Sequence, residues 1–492
     1  MEDEWTVNAN EALFISLVRP TSSGLEKIAT FNPKFTYAIF GEDERIFGYK
    51  GLKINLQYDA RDLRPNLSVT SSRKFASVAG VEALDVRETL KEFLPGVAFQ
   101  GRQEYDSAVR NTPETWAPPG TLVKTAEKDG EIYEVWHGTM ADLAVKQMLK
   151  RIQVMVLLFI EGGSYIGQNP EGKEEPEYSL ARWSVFFIYK KQPTTDAPDK
   201  HRYIFQGFST VYDFWMFQQP TPRASPAKDS IDHAWELPEG DFSLKDLPSR
   251  SRISQFVILP PFQGKGVGAL LYNTIFCLGV DDASVKEVTV EDPNEDFDLV
   301  RDLCDMKYLR KNIPGFAALK VNANVSIPEK GAILHNNTRV SSPESGSSSA
   351  DGIVDMDALE AMRVKAKIAP RQFWRLTEMH LMSTLPDSVR PRPDTDSVAQ
   401  PSQSKADLQA YTVWRLLLKQ RLYRRNANVL GEFEITERII KLNETVSNVE
   451  WEYARILERL EPKAVVANSK RKLDSEAEEA STSSKRARVE DA

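Results

Sequence analysis

Three glycines, Gly264, Gly266 and Gly268, alternate with other residues directly after an apolar run that ends in two prolines. The next segment, ALLYNTIFCLGV (residues 269–280), carries apolar residues at helical spacing. A strand, a glycine turn and a helix start direct backbone N–H groups and the positive end of the helix dipole towards one point. Since glycine lets an anion approach the backbone closely, the pattern predicts a site for a phosphate-bearing cofactor.

Three known phosphate-binding loops contain glycines of this kind, and they differ in spacing. The Walker pattern GxxxxGK(S/T) is excluded because no Lys-Ser or Lys-Thr pair follows the last glycine. The dinucleotide fingerprint GxGxxG fails by one residue, although Glu291-Asp292 follows the next strand (VKEVTV), where a ribose-binding carboxylate is expected. The pyrophosphate loop of the GNAT acyltransferases, Gln/Arg-x-x-Gly-x-Gly/Ala, is matched by Gln263, Gly266 and Gly268.

Five separated blocks of sequence, in the right order, resemble the type B histone acetyltransferase catalytic subunits of fungal type. The blocks are FGYKGLKI (residues 47–54), LLFIEGGSYI (157–166), GFSTVYDFWMF (207–217), ILPPFQGKGVG (258–268) and VTVEDPNEDFDLVRD (288–302). The resemblance covers residues 5–320 with specific motifs and extends more loosely over helical segments to residue 460.

The resemblance implies a GNAT acyltransferase fold of the mixed α/β class, with an N-terminal α/β domain and a C-terminal helical domain. It implies transfer of acetyl from acetyl-CoA, without a metal, to lysines in the N-terminal tail of free, newly synthesised histone four. In the resembled family a WD-repeat histone-binding subunit is the partner.

Acetyl transfer to lysine needs a base, because at a pKa of about 10.4 only about one amine in a thousand is neutral near pH 7.4. Glu291, at the end of the VKEVTV strand, is the predicted base, and Asp292 is the next candidate. Adjacent strand residues point to opposite faces, so Asp292 is equally compatible with a helix cap or a turn residue before the next helix. Glu161 is carried over from the resemblance as a second acid/base candidate; alone, it reads as a turn carboxylate after a strand, LLFI.

Residues of the cofactor site fall into three groups. A splayed strand end offers backbone groups to the pantetheine amides, and one of its N–H groups can stabilise an oxyanion. The glycine loop holds the pyrophosphate, and in the resemblance an asparagine contacts the cofactor. The predicted residues are Phe256, Val257 and Ile258 in the strand, Gln263, Gly264, Lys265, Gly266, Val267, Gly268 and Ala269 in the loop, and Asn294.

Two segments are predicted to bind a basic histone tail. Tyr212, Phe214 and Trp215 surround Asp213, and aromatic faces with a carboxylate suit an extended lysine-bearing peptide. A core strand with an aromatic inner face explains the same pattern equally well. In the N-terminal region, the acidic run Glu42, Asp43 and Glu44 is available to the same tail.

Composition sets the expected organisation of the 492 residues, whose net charge is −8. The charge argues against broad nucleic-acid binding, and the longest apolar stretch (residues 154–160) is far too short for the ~20 residues of a membrane span. No signal peptide is expected.

The predicted domains are a histone-tail-binding domain (1–140), a catalytic GNAT domain (141–320), a Ser-rich linker (336–351), a helical domain (352–462) with a Pro/Ser-rich insert (386–405), and a disordered tail (463–492).

Two basic clusters at residues 470–488 read as a bipartite import signal and predict a protein of both cytoplasm and nucleus. Apolar residues at heptad spacing over residues 435–460 predict a helix that packs inside the chain or in an intermolecular coiled coil.

Cys277 and Cys304 lack a nearby His and are expected to be buried and inert, which argues for direct acetyl transfer and against a metal site. A non-catalytic histone chaperone or scaffold is the alternative function.

Overall fold

The structure, a computed structural model, describes residues 3–216 (without 22, 79, 114, 170 and 195–196), 246–325, 354–393 and 403–461. In this part of the chain the strands are β1 (Thr6–Asn8), β2 (Leu13–Thr21), β3 (Gly24–Phe31), β4 (Arg45–Phe47), β5 (Tyr49–Lys50), β6 (Lys53–Asp59), β7 (Pro65–Thr70), β8 (Arg73–Lys74), β9 (Thr121–Lys128), β10 (Glu131–Thr139), β11 (Trp183–Thr194), β12 (Ala197–Trp215), β13 (Ser249–Ile258) and β14 (Val285–Val290).

The helices in the same residues are α1 (Ala9–Ala12), α2 (Tyr37–Phe40), α3 (Val86–Lys91), α4 (Arg102–Arg110), α5 (Leu143–Ile152), α6 (Val154–Phe159), α7 (Glu177–Leu180), α8 (Val267–Asp281), α9 (Glu295–Asn312), α10 (Pro314–Ala317), α11 (Met356–Ala366), α12 (Pro370–Ser383), α13 (Lys405–Arg425), α14 (Ala427–Gly431) and α15 (Ile435–Leu460). They divide, with the strands, into two compact units. The first runs up to Val300 and includes Lys367–Ala369, and the second holds the other described residues from Arg301 onwards.

Two sheets build the first unit. The larger has the order β14-β13-β12-β11-β10-β9, and its neighbours are antiparallel except for the parallel pair β13 and β14. The smaller has the order β3-β2-β6-β7, in which only β2 and β6 run parallel. The parallel pair β13–β14 is connected by α8, as a parallel pair requires a crossover.

One hydrophobic core joins these sheets to α5 and α6. Ile15 and Ile54 of the smaller sheet, Leu149 of α5, Val156 of α6 and Phe187 of the larger sheet all belong to a single cluster of buried residues. The core therefore continues across residue 140, where the sequence analysis places a domain boundary. The predicted domain bounds stay a prediction.

The expectation of a strand at LLFI (residues 157–160) is wrong, because Val154–Phe159 forms α6. The first five residues of α6 are all buried, so the helix has no polar face from which its period could be recognised. A short, continuous apolar run cannot be assigned to strand or helix from periodicity alone.

The second unit is helical and has a buried polar centre. Glu378 of α12 accepts a hydrogen bond from Nε of Arg421 at 2.7 Å and from the Tyr453 hydroxyl at 3.1 Å. Its burial raises the pKa of Glu378, and the Arg421 guanidinium opposes that shift. The indole of Trp414, fully buried on α13, donates to the Glu378 carbonyl at 2.9 Å.

The predicted heptad helix is observed as α15, and its two ends differ. Leu442, Val446 and Tyr453 are buried within the second unit, whereas Ile435 and Ile439 are 69% and 51% exposed. The buried heptad positions support packing inside the chain for the C-terminal part of the helix. The predicted linker (336–351) and tail (463–492) lie outside the described residues, as do residues 394–402 of the insert.

We expect Arg421→Ala to lower the free energy of unfolding by about 3 kcal/mol, because it leaves the buried Glu378 carboxylate without its cation. Chemical denaturation of the full chain measures the change, with Arg459→Ala, an exposed arginine of α15, as the control. A second substitution, Glu378→Gln, should recover part of the loss because it removes the buried charge. A double variant no more stable than Arg421→Ala would contradict this explanation.

Candidate active site

The site begins where β13 and β14 part. Their parallel pairing ends at Ile253 and Val290, and the Glu291 N–H still donates to the Ile253 carbonyl at 2.9 Å. Strand β13 continues to Ile258, paired only with β12 on its other side. Within the described residues, the predicted pantetheine residues Phe256, Val257 and Ile258 therefore lie on a strand edge that no other strand covers.

A β-bulge sits at the same point. Register between β12 and β13 changes from Thr210–Gln255 to Val211–Ile253, so Ser254 has no partner residue on β12. The Ser254 hydroxyl donates to a carboxylate oxygen of Glu291. Bulges often re-aim side chains beside active sites, and this one directs the serine at the predicted base.

Glu291 also forms an ion pair with Arg252, whose Nε lies 3.5 Å from Oε2 of the carboxylate. The guanidinium of Arg252 in turn lies 4.4 Å from the ring centroid of Phe214. Glu291 is exposed, with 40% of its side chain accessible, so a substrate can reach it. Arg252 thus links the predicted base to the predicted tail-binding segment.

Asn294, and not Asp292, caps helix α9, since the Asn294 Oδ1 accepts from the Phe297 N–H at 2.9 Å. The helix-cap alternative for Asp292 is therefore wrong. Asp292 is exposed and has a φ of +33°, a backbone conformation that turns the chain sharply after Glu291. The side-chain amide of Asn294 keeps its N–H donors for a ligand.

Glu161 follows helix α6, not a strand as expected, and is exposed. Its loop is fixed at two points. The Gly162 N–H donates to the Tyr37 hydroxyl at 2.6 Å, and the Gln255 amide donates to the Ser164 carbonyl at 2.7 Å. Because Gln255 is the neighbour of Ser254, the loop is held against β13 beside the bulge.

The glycine loop has the shape that its sequence predicts. Gly264 and Gly266 have φ values of +72° and +75°, which favour glycine, and Gly266 is the N-cap of α8. Gln263 donates from its amide to the Ile258 carbonyl at 2.7 Å and ties the loop to the end of β13. The first-turn N–H groups of an α-helix, here Val267 to Ala269, have no acceptor within the helix.

Lys265 bends back along the loop, and its ammonium donates to the Pro261 carbonyl at 3.0 Å. At the other end of the cofactor strand, Phe256 packs edge-on against Phe297 of α9, with ring centroids 5.0 Å apart. The end of β13, the glycine loop and the first turn of α9 therefore lie next to one another within the first unit.

The predicted tail-binding aromatics form one surface. Tyr212 and Phe214 contact each other with centroids 4.7 Å apart, and Tyr212 lies at the same distance from Trp183 of β11. The guanidinium of Arg182 lies 3.7 Å from the ring centroid of Trp215. All of these rings are partly exposed. Sequence reasoning missed Trp183 and both arginines, because only strand pairing brings them to this segment.

Two of the predicted acidic groups serve the fold. Asp213 is turned to Ser251, whose hydroxyl donates to it, and burial raises the pKa of Asp213. Glu44 accepts from the backbone N–H groups of Thr36 and Tyr37 at 2.6 and 3.1 Å, at the start of α2. Only Glu42 and Asp43 of the acidic run are exposed.

The two cysteines differ from the expectation in one respect. Cys304 is buried, but Cys277 is exposed. Partial burial of its sulfur, reinforced by Asp281, raises the pKa of the Cys277 thiol, which disfavours the nucleophilic thiolate.

Among the described residues, no helix combines the length and the hydropathy that a membrane crossing requires.

Comparison with known proteins identifies the family. Two family models match: "Histone acetyl transferase HAT1 N-terminus" over residues 5–161, and "Fungal HAT1, C-terminal" over residues 341–386. The histone acetyltransferase type B catalytic subunit of Gibberella zeae is 46% identical, and the match covers 100% of both chains. Those of Pyricularia oryzae and Neurospora crassa are 45% and 42% identical over at least 99% of each chain.

This chain belongs to the type B histone acetyltransferase catalytic subunits. The resemblance in the sequence is therefore confirmed, and so is the mixed α/β acyltransferase fold with a helical C-terminal region. A solved aminoglycoside acetyltransferase from a soil metagenome aligns with 37% of this chain and 88% of its own at 14% identity, with a TM-score of 0.20, and no conclusion rests on it.

Two substitutions of Asn294 separate its cap from a contact with the cofactor. We expect Asn294→Asp to keep the melting temperature, because Asp is as good an N-cap, yet to weaken acetyl-CoA binding about fivefold by loss of the amide donors. Asn294→Ala should lose about 1 kcal/mol of stability as well. Calorimetric titration and thermal unfolding measure both effects; unchanged affinity in Asn294→Asp would leave the residue a cap alone.

Proposed function

We propose that this protein transfers acetyl from acetyl-CoA directly to lysines in the N-terminal tail of free, newly synthesised histone four. One observation carries the proposal: Arg252 contacts both Glu291, the proposed base, and Phe214 of the aromatic surface. The aromatic segment pairs with the N-terminal end of β13, and the proposed donor edge is the C-terminal end of the same strand. Glu291 lies between the two, beside Ile253 and Ser254. The names of the relatives support the histone as substrate.

Acetyl-CoA supplies a thioester carbonyl as the acyl donor when it is bound. The exposed edge of β13 at Phe256, Val257 and Ile258 offers amide groups to the pantetheine arm, and one N–H there is placed to stabilise charge on the carbonyl oxygen. The N-terminal turn of α8 and the glycine loop receive the diphosphate. The strand edge, the glycine loop and the start of α8 follow one another along the chain in the order that the pantetheine arm and the diphosphate require.

Glu291 acts as the base in the proposed reaction. Its carboxylate takes the proton that the lysine amine must lose, either directly or through a water. Ser254 and Arg252 both bind this carboxylate and hold it at the end of β14. Asp292, exposed at the following position, and Glu161, on the loop that Gln255 anchors, remain the second candidates.

The aromatic surface is proposed to bind the histone tail. Tyr212 and Trp183 present partly exposed rings, in contact and tilted by 55° to each other, on which an extended peptide can lie. Glu42 and Asp43 are exposed and can pair with basic residues of the tail. A WD-repeat histone-binding subunit as partner, and a nuclear pool imported through residues 470–488 beside a cytoplasmic one, complete the proposal.

Replacing the base tests the catalytic assignment. We expect Glu291→Gln to lower kcat by at least about 100-fold on a histone-four tail peptide, since a positioned base contributes 10²–10⁴-fold. Acetyl-CoA affinity should stay within about twofold because the carboxylate does not line the phosphate loop. Mass spectrometry of the acetylated peptide gives the rate, and Glu295→Gln, four residues along in α9, is the matched control.

Retained activity in Glu291→Gln would transfer the role of base to Glu161 or Asp292. A wild-type chain that binds the peptide tightly but acetylates no lysine would instead favour the histone chaperone or scaffold.

Truncating the aromatic surface tests the peptide site. We expect Tyr212→Ala to raise KM for the tail peptide about tenfold, because a central aromatic anchor is worth more than 1 kcal/mol in such contacts. KM for acetyl-CoA should not change. Steady-state kinetics measure both constants, with Leu143→Ala, 76% exposed on α5, as the control. An unchanged peptide KM would assign Tyr212 to core packing.

A further inference from the structure

The turn between β9 and β10 brings a lysine to the glycine loop. Asp129 and Gly130, the two residues between the strands, both have positive φ values, +53° and +76°. This is the signature of a tight two-residue hairpin, whose twist matches that of the strands. Lys128, the last residue of β9, is thereby fixed at the tip of the hairpin.

From that position Lys128 contacts the phosphate loop directly. Its ammonium donates to the Lys265 carbonyl, 137 residues away in sequence. A Cβ placed on Gly266 would lie 2.3 Å from the Lys128 Nζ. Gly266 therefore serves two needs: a left-handed backbone at the N-cap of α8, and room for the ammonium beside it.

The contacts of the charged groups around the loop indicate that the Lys128 ammonium is available to an anion. The loop's own lysine, Lys265, is bound to the Pro261 carbonyl and lies 5.9 Å from the Phe262 ring centroid. Lys128 has three N–H donors, and the Lys265 carbonyl accepts one of them. Asp129 is its ion-pair partner at 3.7 Å, beyond hydrogen-bonding distance.

An anion that meets the first turn of α8 would thus meet Lys128 as well. A phosphate oxygen is a stronger acceptor for an ammonium than a backbone carbonyl, because the hydrogen bond is then charged on both sides. The helix end alone offers neutral N–H groups and a partial positive charge of about one half. Lys128 adds a full charge at the same place.

We propose that Lys128 binds the diphosphate of acetyl-CoA and so makes the β9–β10 hairpin part of the cofactor site. The inference rests on the proposed function, because it takes acetyl-CoA as the ligand of the glycine loop. It assigns to the opposite edge strand of the sheet a role in binding the donor. It also explains why a lysine occupies the last position before the turn.

Calorimetric titration of the full chain with three ligands tests the inference: acetyl-CoA, its 3′-dephospho form, and S-acetylpantetheine, which lacks all phosphate groups. We expect Lys128→Gln to weaken the binding of the first two ligands equally, by at least about tenfold, as for a hydrogen bond to a charged group. Binding of S-acetylpantetheine should not change. Lys128→Arg should restore most of the affinity, and Lys124→Gln, exposed on the same strand, should have no effect.

Each other outcome overturns the inference. A loss confined to the ligand with a 3′-phosphate would move Lys128 from the diphosphate to the ribose phosphate. An equal loss of affinity for all three ligands, or a lowered melting temperature, would give Lys128 a purely structural role. Unchanged affinity for all three ligands would show that Lys128 does not bind the cofactor. Failure of the wild-type chain to bind acetyl-CoA would instead refute the proposed function itself.

Discussion

The separation of β13 from β14 after Ile253 is the constraint on which the site depends. A continued ladder would pair the amide groups of Phe256 to Ile258 and leave nothing for a cofactor. The end of pairing also releases Glu291 from the strand while its own N–H stays bound to Ile253. One break in the ladder therefore both uncovers the predicted pantetheine residues and positions the predicted base.

The bulge at Ser254 makes this break local. It shifts the register between β12 and β13 by one residue, so the sheet stays continuous on one side of β13 while the other side opens. Because the bulged residue is a serine, its side-chain hydroxyl can donate a hydrogen bond to the Glu291 carboxylate. The same irregularity shapes the strand and orients the carboxylate.

Sequence reasoning succeeded where the signal is local. The glycine loop, α8, β14 and α9 lie in one continuous stretch, and their turn residues and periodicity are legible without tertiary context. It failed at Val154–Phe159, where burial on all sides removes the helical period, and so it placed Glu161 after a strand. As an alternative role for Asp292 it offered the cap of α9, which Asn294 provides two residues later.

Sequence reasoning could not identify contacts between strands that are distant along the chain. Trp183, Arg252 and Lys128 carry no motif of their own, and pairing within the sheet is what places the first two beside Tyr212 and Glu291. The register that brings Trp183 opposite Tyr212 depends on bulges whose positions no local pattern reveals. The sequence could therefore supply the catalytic carboxylates as candidates, but not the side chains that hold them.

Arg252 shows why such a partner shapes chemistry as well as geometry. In the proposed reaction a lysine amine approaches Glu291, and the Nε atom of the Arg252 guanidinium lies 3.5 Å from that carboxylate. A nearby like charge disfavours the protonated amine, so Arg252 opposes a stable ammonium–carboxylate pair at Glu291. Such a pair would hold the substrate in its unreactive form. By occupying one side of the carboxylate and stacking on Phe214, Arg252 favours an amine that has already given up its proton.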